Sequence, residues 1–229
     1  MLRAVISFPK SGRSWLRYGL YLAGTRNIVF HHDGFEYNDG AKPNLDFDPA
    51  RRLSAYTSQD RLVYLERDPR DTIVSLFHQI TGRFRDMFGY QGSLSDFLRD
   101  PYFGIANLLR FQAMWRDLAN ELPVLVVHYE ELTEDYAKVM LRVSDHFGLN
   151  FVQEDCDRLA SMATFERMQE VERSLQFPEP WLRPRMGSPK VRQGKVGSYK
   201  NALTSDDIKF IEDEMGRMAH SSSPASHPY

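Results

Sequence analysis

A single cysteine, Cys156, stands among 229 residues. That scarcity excludes an internal disulfide and any cysteine-based metal cluster, and it leads one to expect a reducing, cytoplasmic setting. Its neighbours Glu154, Asp155 and Asp157 disfavour a thiolate, so no nucleophilic role is expected. Long apolar runs are also missing. None approaches the roughly 18 residues that a membrane-crossing helix needs, and the first strand pattern begins at Arg3, so neither a span nor a signal peptide is expected. Charge of one sign is missing over the chain as a whole, whose net charge is −2; a broad nucleic-acid-binding face is therefore not expected. No internal repeat is visible, and no metal-ligating set is expected.

What is there reads as one α/β domain over residues 1–219, at 42% hydrophobic composition and a length usual for a single core. The tail, 220–229, is rich in Ser and Pro and is expected to be disordered. Short apolar, β-branched runs predict strands at 3–8, 27–31, 61–66 and 123–128. Helical patterns fall at 14–23, 71–88, 94–99, 103–121, 134–147, 154–161 and 205–218, with Phe165 and Met168 on a further helical segment. Alternating strands and helices predict an open parallel sheet with helices on both faces.

The first strand, Ala4-Val5-Ile6-Ser7-Phe8, runs into Pro9-Lys10-Ser11-Gly12-Arg13-Ser14-Trp15 and then a helix. A turn opening into a helix N-terminus offers unpaired N–H groups and the positive end of the dipole, an anion site. Lys10 adds a cation, Ser11 and Ser14 add hydroxyl donors, and Gly12 permits close approach. The ATP-binding pattern G-x-x-x-x-G-K-[ST] is absent, because Lys10 precedes Gly12. The loop resembles the P-K-S-G-T-T-W of the 3'-phosphoadenosine 5'-phosphosulfate (PAPS)-dependent sulfotransferases, which move a sulfuryl group to an acceptor hydroxyl or amine and leave 3'-phosphoadenosine 5'-phosphate (PAP).

Two further segments carry the resemblance. In Glu66-Arg67-Asp68-Pro69-Arg70-Asp71-Thr72-Ile73-Val74-Ser75 a strand ends, a turn follows, and Asp71 caps the next helix. From the residues alone, Arg67 is either an anion-binding group or half of an ion pair with Asp68 or Asp71. The segment is similar to the family's R-N-P-K-D-x-x-V-S, with Asp68 for Asn and Arg70 for Lys; the resemblance implies that Arg67 and Ser75 hold a 3'-phosphate. Arg192-Gln193-Gly194-Lys195-Val196-Gly197-Ser198-Tyr199-Lys200-Asn201 resembles R-K-G-x-x-G-D-W-K-N, with Gln193 for Lys. From Trp181 to Lys200 there are six Lys or Arg and no acid, which suits a cationic loop ordered over a polyanion. Fainter matches are Tyr129-Glu130-Glu131-Leu132, whose Tyr approaches the nucleotide in the family, and Thr164-Phe165-Glu166-Arg167-Met168, whose aromatic ring packs on adenine. From spacing alone, Phe165 and Met168 serve equally well as core. Trp15 is a second candidate adenine wall.

Together these imply a P-loop-type fold, a sulfotransferase using PAPS, a small-molecule acceptor, and no metal. Implied donor-binding residues are Lys10, Ser11, Gly12, Arg13, Ser14, Trp15, Arg67, Ser75, Tyr129, Thr164, Phe165, Met168, Arg192, Gln193 and Gly194. Lys10 would stabilise the leaving oxygen, with Ser75 as its partner. For the base, His32 aligns with a family histidine, while Asp33, Glu36 and His31 stay open. Lys10 and His32 lie only about 20 residues apart, fewer than in the family, so a segment covering the acceptor looks missing. The alternatives are a P-loop kinase or NTPase and a non-catalytic nucleotide-binding module. The family's dimer motif meets Ser205 and Lys209 where it needs Val and Glu, so that interface is not expected and the oligomeric state stays open. Aromatic residues at Phe35, Tyr37, Phe47, Phe84, Phe88, Tyr90, Tyr102 and Phe103, with Met87, suggest a partly apolar acceptor cavity or part of the core.

Overall fold

The computed structural model describes residues 1–37 and 45–221. Four parallel strands, β1 (Arg3–Ser7), β2 (Val29–His31), β3 (Arg61–Glu66) and β4 (Val124–His128), form a sheet in the order β2-β1-β3-β4. Period-2 alternation divides their side chains between two cores. Ala4, Ile6, Leu62 and Tyr64 pack on one face with residues of α3 (Pro69–His78), α5 (Leu94–Arg99), α6 (Ile105–Glu121) and α11 (Ser205–Ser221). Val5, Val63, Leu65 and Val127 pack on the other with residues of α1 (Arg13–Leu22), α8 (Tyr136–Phe147), α9 (Gln153–Met162) and α10 (Phe165–Ser174). The remaining helices are α2 (Pro49–Ala55), α4 (Arg85–Phe88) and α7 (Tyr129–Glu134). Burial on both faces is why these strands read as continuous apolar runs.

The register matters for function. Ile6 pairs with His31, Ser7 with Leu65 and Glu66 with His128, so the carboxyl ends of all four strands lie along one edge. Connections from β1 and β3 leave in opposite directions, and the crevice between them is where open parallel sheets bind ligands.

Several expected elements differ. Helix α3 starts at Pro69, and its cap is Asp68, whose side chain accepts from the Arg70 N–H at 2.8 Å. Asp68 therefore does the capping expected of Asp71, and Asp71 is freed for another role. The single helix expected over 71–88 is interrupted: a π turn covers Gln79–Arg83 before α4. Helix α2 follows the same Asp-Pro signal, with Asp48 capping Ala50 at 2.9 Å, and escaped notice because its apolar face is short. Helix α11 continues through His220, where the tail was expected to begin; residues 222–229 lie outside the described residues. Cys156 is buried, and among the described residues no helix is long and apolar enough to cross a membrane.

Candidate active site

The loop after β1 places Lys10 and Gly12 in the left-handed region, at φ 74° and 99°. A Cβ on Gly12 would overlap the Tyr129 ring, so glycine serves both the conformation and the close approach. No side chain caps α1, and its open N–H groups face a cavity of about 140 Å³ at the sheet edge. Lys10, Gly12, Arg13, Ser14 and Trp15 line it from the loop, joined by His32, Arg67, Ser75 and Tyr129 from behind the strand ends. Phe165, Met168, Arg192, Gln193 and Gly194 add further wall. The three separated motifs thus meet in one place. Ser11 is buried beneath the loop, its Oγ without a partner. Thr164 does not line the cavity; its side chain caps α10, accepting from the Arg167 N–H at 3.2 Å.

Arg67 is half of the ion pair its sequence allowed, and it also lines the cavity. Its Nη1 donates to the Lys10 carbonyl at 3.3 Å, its Nη2 donates to the Lys195 carbonyl at 3.1 Å, and Asp71 lies 3.7 Å away. The guanidinium stacks on Tyr129 at 4.2 Å, while its buried Nε has no partner. Asp71, fully buried, accepts from the Gly197 N–H, the Ser198 hydroxyl and the Tyr199 N–H at 2.7, 3.0 and 2.9 Å. Charge-assisted bonds of this kind contribute about 1.5–3 kcal/mol each, so Asp71 ties the cationic loop to α3. Glu172 does the same upstream, accepting from the N–H groups of Lys190 and Val191, and Arg185 pairs with Asp86. The segment expected to be ordered only by ligand is already held by three carboxylates from elsewhere in the chain. Its sequence showed the cations and not these anchors.

Trp15 stacks on Tyr136 at 5.2 Å and donates its indole N–H to the Ala163 carbonyl. Gly194 lies flat on Phe165, where a Cβ would overlap the ring. Among the base candidates, His32 alone lines the cavity. Arg13 donates to its Nε2 at 2.7 Å, so Nδ1 carries the proton and donates to the Ser7 carbonyl at 2.7 Å. Burial, then Arg13, holds this imidazole well below its ordinary range. Glu36 accepts from the His32 N–H at 2.7 Å. Asp33 accepts from Arg52 and from Trp115, and His31 meets Tyr56. Lys190, which the sequence offered only as part of a cationic stretch, also lines the cavity, and burial and Lys10 depress it well below the lysine range.

Six of the aromatic residues suggested for an apolar acceptor cavity or the core go to the core: Phe35 and Tyr37 are buried in it, and Phe47, Phe88, Tyr90 and Phe103 pack against the same cluster, whereas Tyr102 and Met87 are exposed.

The chain matches the sulfotransferase domain family over residues 4–222. It belongs to that family. An amine sulfotransferase of Oryctolagus cuniculus is 25% identical over 246 residues, spanning 92% of this chain and 79% of the relative. Mouse sulfotransferase SULT7A1 complexed with PAP shares the fold at a TM-score of 0.69 and 18% identity, over 96% of this chain and 84% of that one. Retinol dehydratase in complex with androsterone and inactive cofactor PAP does so at 0.67 and 19%, over 100% and 84%. The protein is a sulfotransferase, and the kinase or NTPase alternative is set aside.

For this sulfotransferase the state of Lys10 makes a prediction. Burial first, then Arg83, Arg192 and Arg67, lower its pKa to about 7. In the unfolded chain it stays protonated to about pH 10.4. Between those values the unfolded state binds more protons, so this group makes the free protein more stable as pH rises through that window. A bound polyanion restores the charge. Binding of a 3',5'-bisphosphate nucleotide is therefore expected to take up protons at pH 8 and to weaken by up to about tenfold per pH unit above 7. Calorimetry in two buffers of different ionisation enthalpy checks this; pH-independent affinity without proton uptake contradicts it.

Proposed function

We propose that the protein transfers a sulfuryl group from PAPS to the hydroxyl of a small-molecule acceptor, using Lys10 and His32. The observation that carries this reading is the convergence of Lys10, Arg67 and Arg192 on a cavity at an uncapped helix N-terminus, lined also by Arg13, with Arg13 Nη1 and Arg67 Nε buried and without partners among the described residues. Buried polar atoms without partners are costly, and a ligand rich in anionic oxygens would satisfy both. The residues fit the donor: Arg67, Ser75 and Arg192 for the 3'-phosphate, the α1 N-terminus with Ser14 and Arg13 for the 5' end, and Trp15, Phe165 and Met168 for adenine, with Tyr129 holding Arg67 in place.

Bound, the donor supplies an activated sulfuryl group. Lys10 presents its ammonium to the oxygen that gathers charge as transfer proceeds. His32, neutral and oriented through Nδ1 by the Ser7 carbonyl, receives the acceptor's proton at Nε2; that lone pair is free once Arg13 turns to the anion. The expected result is that PAP binds at least tenfold tighter than adenosine 5'-monophosphate, since losing the 3'-phosphate removes charge-assisted contacts worth about 1.5–3 kcal/mol each. Calorimetry giving equal affinities would remove the donor assignment.

A further inference from the structure

A second cavity, of about 170 Å³, shares Lys10, Ser75, Gln79 and Arg192 with the first. Trp15, Tyr129, Phe165 and Met168 line only the first, so this cavity adjoins the donor site at Lys10 and at the 3'-phosphate residues Ser75 and Arg192, away from its adenine end. Its own wall is the end of α3 and the π turn, where His78, Thr81 and Arg83 stand, closed by Ser188 and Pro189. A Cβ on Gly82 would crowd Ser188 Oγ, so glycine brings the cationic loop against the turn. No Phe, Tyr, Trp, Leu, Ile, Val or Met lines this space, and no carboxylate does. Turns of π type are uncommon and often accompany functional positions.

Arg83 is the group left over by the donor reading. Its Nη1 donates to the carbonyls of Arg183 at 2.9 Å and Ser188 at 3.4 Å. Glu172 lies 3.8 Å away, but its two oxygens already accept backbone N–H groups. Nε and Nη2 of Arg83 donate to no protein atom among the described residues. Filling this cavity with a neutral molecule would strip water from a guanidinium whose one nearby carboxylate, Glu172 at 3.8 Å, is shared with two backbone N–H groups, which is costly. A carboxylate there would accept both free N–H groups in the paired geometry that arginine favours.

We propose that this cavity receives one end of the acceptor, and that the acceptor is a small hydroxyl compound carrying its own carboxylate, bound here by Arg83 while its hydroxyl reaches past Lys10 to His32 in the first cavity. The proposal rests on the donor assignment above. The probes are 4-hydroxybenzoate and 4-hydroxybenzamide, alike in size and different in charge, titrated into protein saturated with PAP.

The wild type should bind the benzoate at least tenfold tighter, the effect of one charge-assisted pair. Arg83→Gln should abolish that preference while PAP affinity stays within about threefold, and Arg83→Lys should retain part of it. Because Arg83 also holds two loop carbonyls, Arg83→Gln is informative only if folded; the wild-type comparison alone decides otherwise. Equal or better binding of the amide overturns the proposal, as does binding of neither probe. An equal loss of PAP affinity in Arg83→Gln also overturns it, by assigning Arg83 to the donor. Failure of the wild type to bind PAP at all counts against the donor assignment instead.

Discussion

Replacing His32 with Ala is expected to lower turnover by roughly 10²–10⁴, the range for a positioned general base, while leaving PAP affinity almost unchanged. The cause lies in what the imidazole touches: the Ser7 carbonyl fixes Nδ1–H, and Arg13 meets Nε2. A burial-depressed imidazole is neutral at pH 7, so its lone pair is present throughout the physiological range. Activity should consequently survive acidification to below the ordinary imidazole range before protonation removes the base. His32→Gln can still bond Ser7 and Arg13 but cannot take a proton, and it should be as inactive as Ala. Asp33 is occupied by Arg52 and Trp115, and Glu36, which accepts one N–H, and His31 remain as competing bases. Near-full activity of His32→Ala beside an inactive Glu36→Gln would transfer the role to Glu36.

Lys10→Met is expected to lower turnover by about 10²–10³, the usual contribution of a preorganised group facing developing charge. Methionine keeps much of the volume and loses the ammonium. Nucleotide affinity should fall less than turnover, because the α1 N–H groups, Arg67 and Arg192 remain. The pH effect should vanish with the side chain: proton uptake on nucleotide binding at pH 8 should shrink, leaving the share contributed by Lys190, which burial also depresses. A Lys10→Met protein with full turnover would contradict the chemistry assigned to the loop.

The strand edges and the phosphate loop were legible because local rules produce them. Val5, Val63, Leu65 and Val127 are short apolar runs, and Gly12 sits where a positive φ and the Tyr129 ring allow nothing larger. Arg67, Ser75 and Arg192 were legible through motif resemblance, and one cavity brings them together. Contacts distant in sequence were not. Asp71 looked like a helix cap, and its partners at 197–199 lie more than a hundred residues away. Thr164 reads as a nucleotide contact because its motif neighbours Phe165 and Met168 do, and they line the cavity, yet its hydroxyl is spent on the helix it begins. Lys190 and Arg83 enter the site only because Glu172 and the π turn place them, and neither is visible as a local pattern. The aromatic residues left cavity and core open for the same reason: nothing in their spacing separates a cavity wall from a core.

The most direct test of the account is a mass-resolved transfer assay, with isotope-labelled PAPS and a panel of hydroxyl acceptors that includes carboxylate-bearing ones. The account predicts an acceptor product heavier by one labelled sulfuryl group, stoichiometric release of PAP, and loss of both in Lys10→Met. PAP binding by the wild type with no labelled product from any acceptor, or a labelled product formed equally well by Lys10→Met, would contradict it.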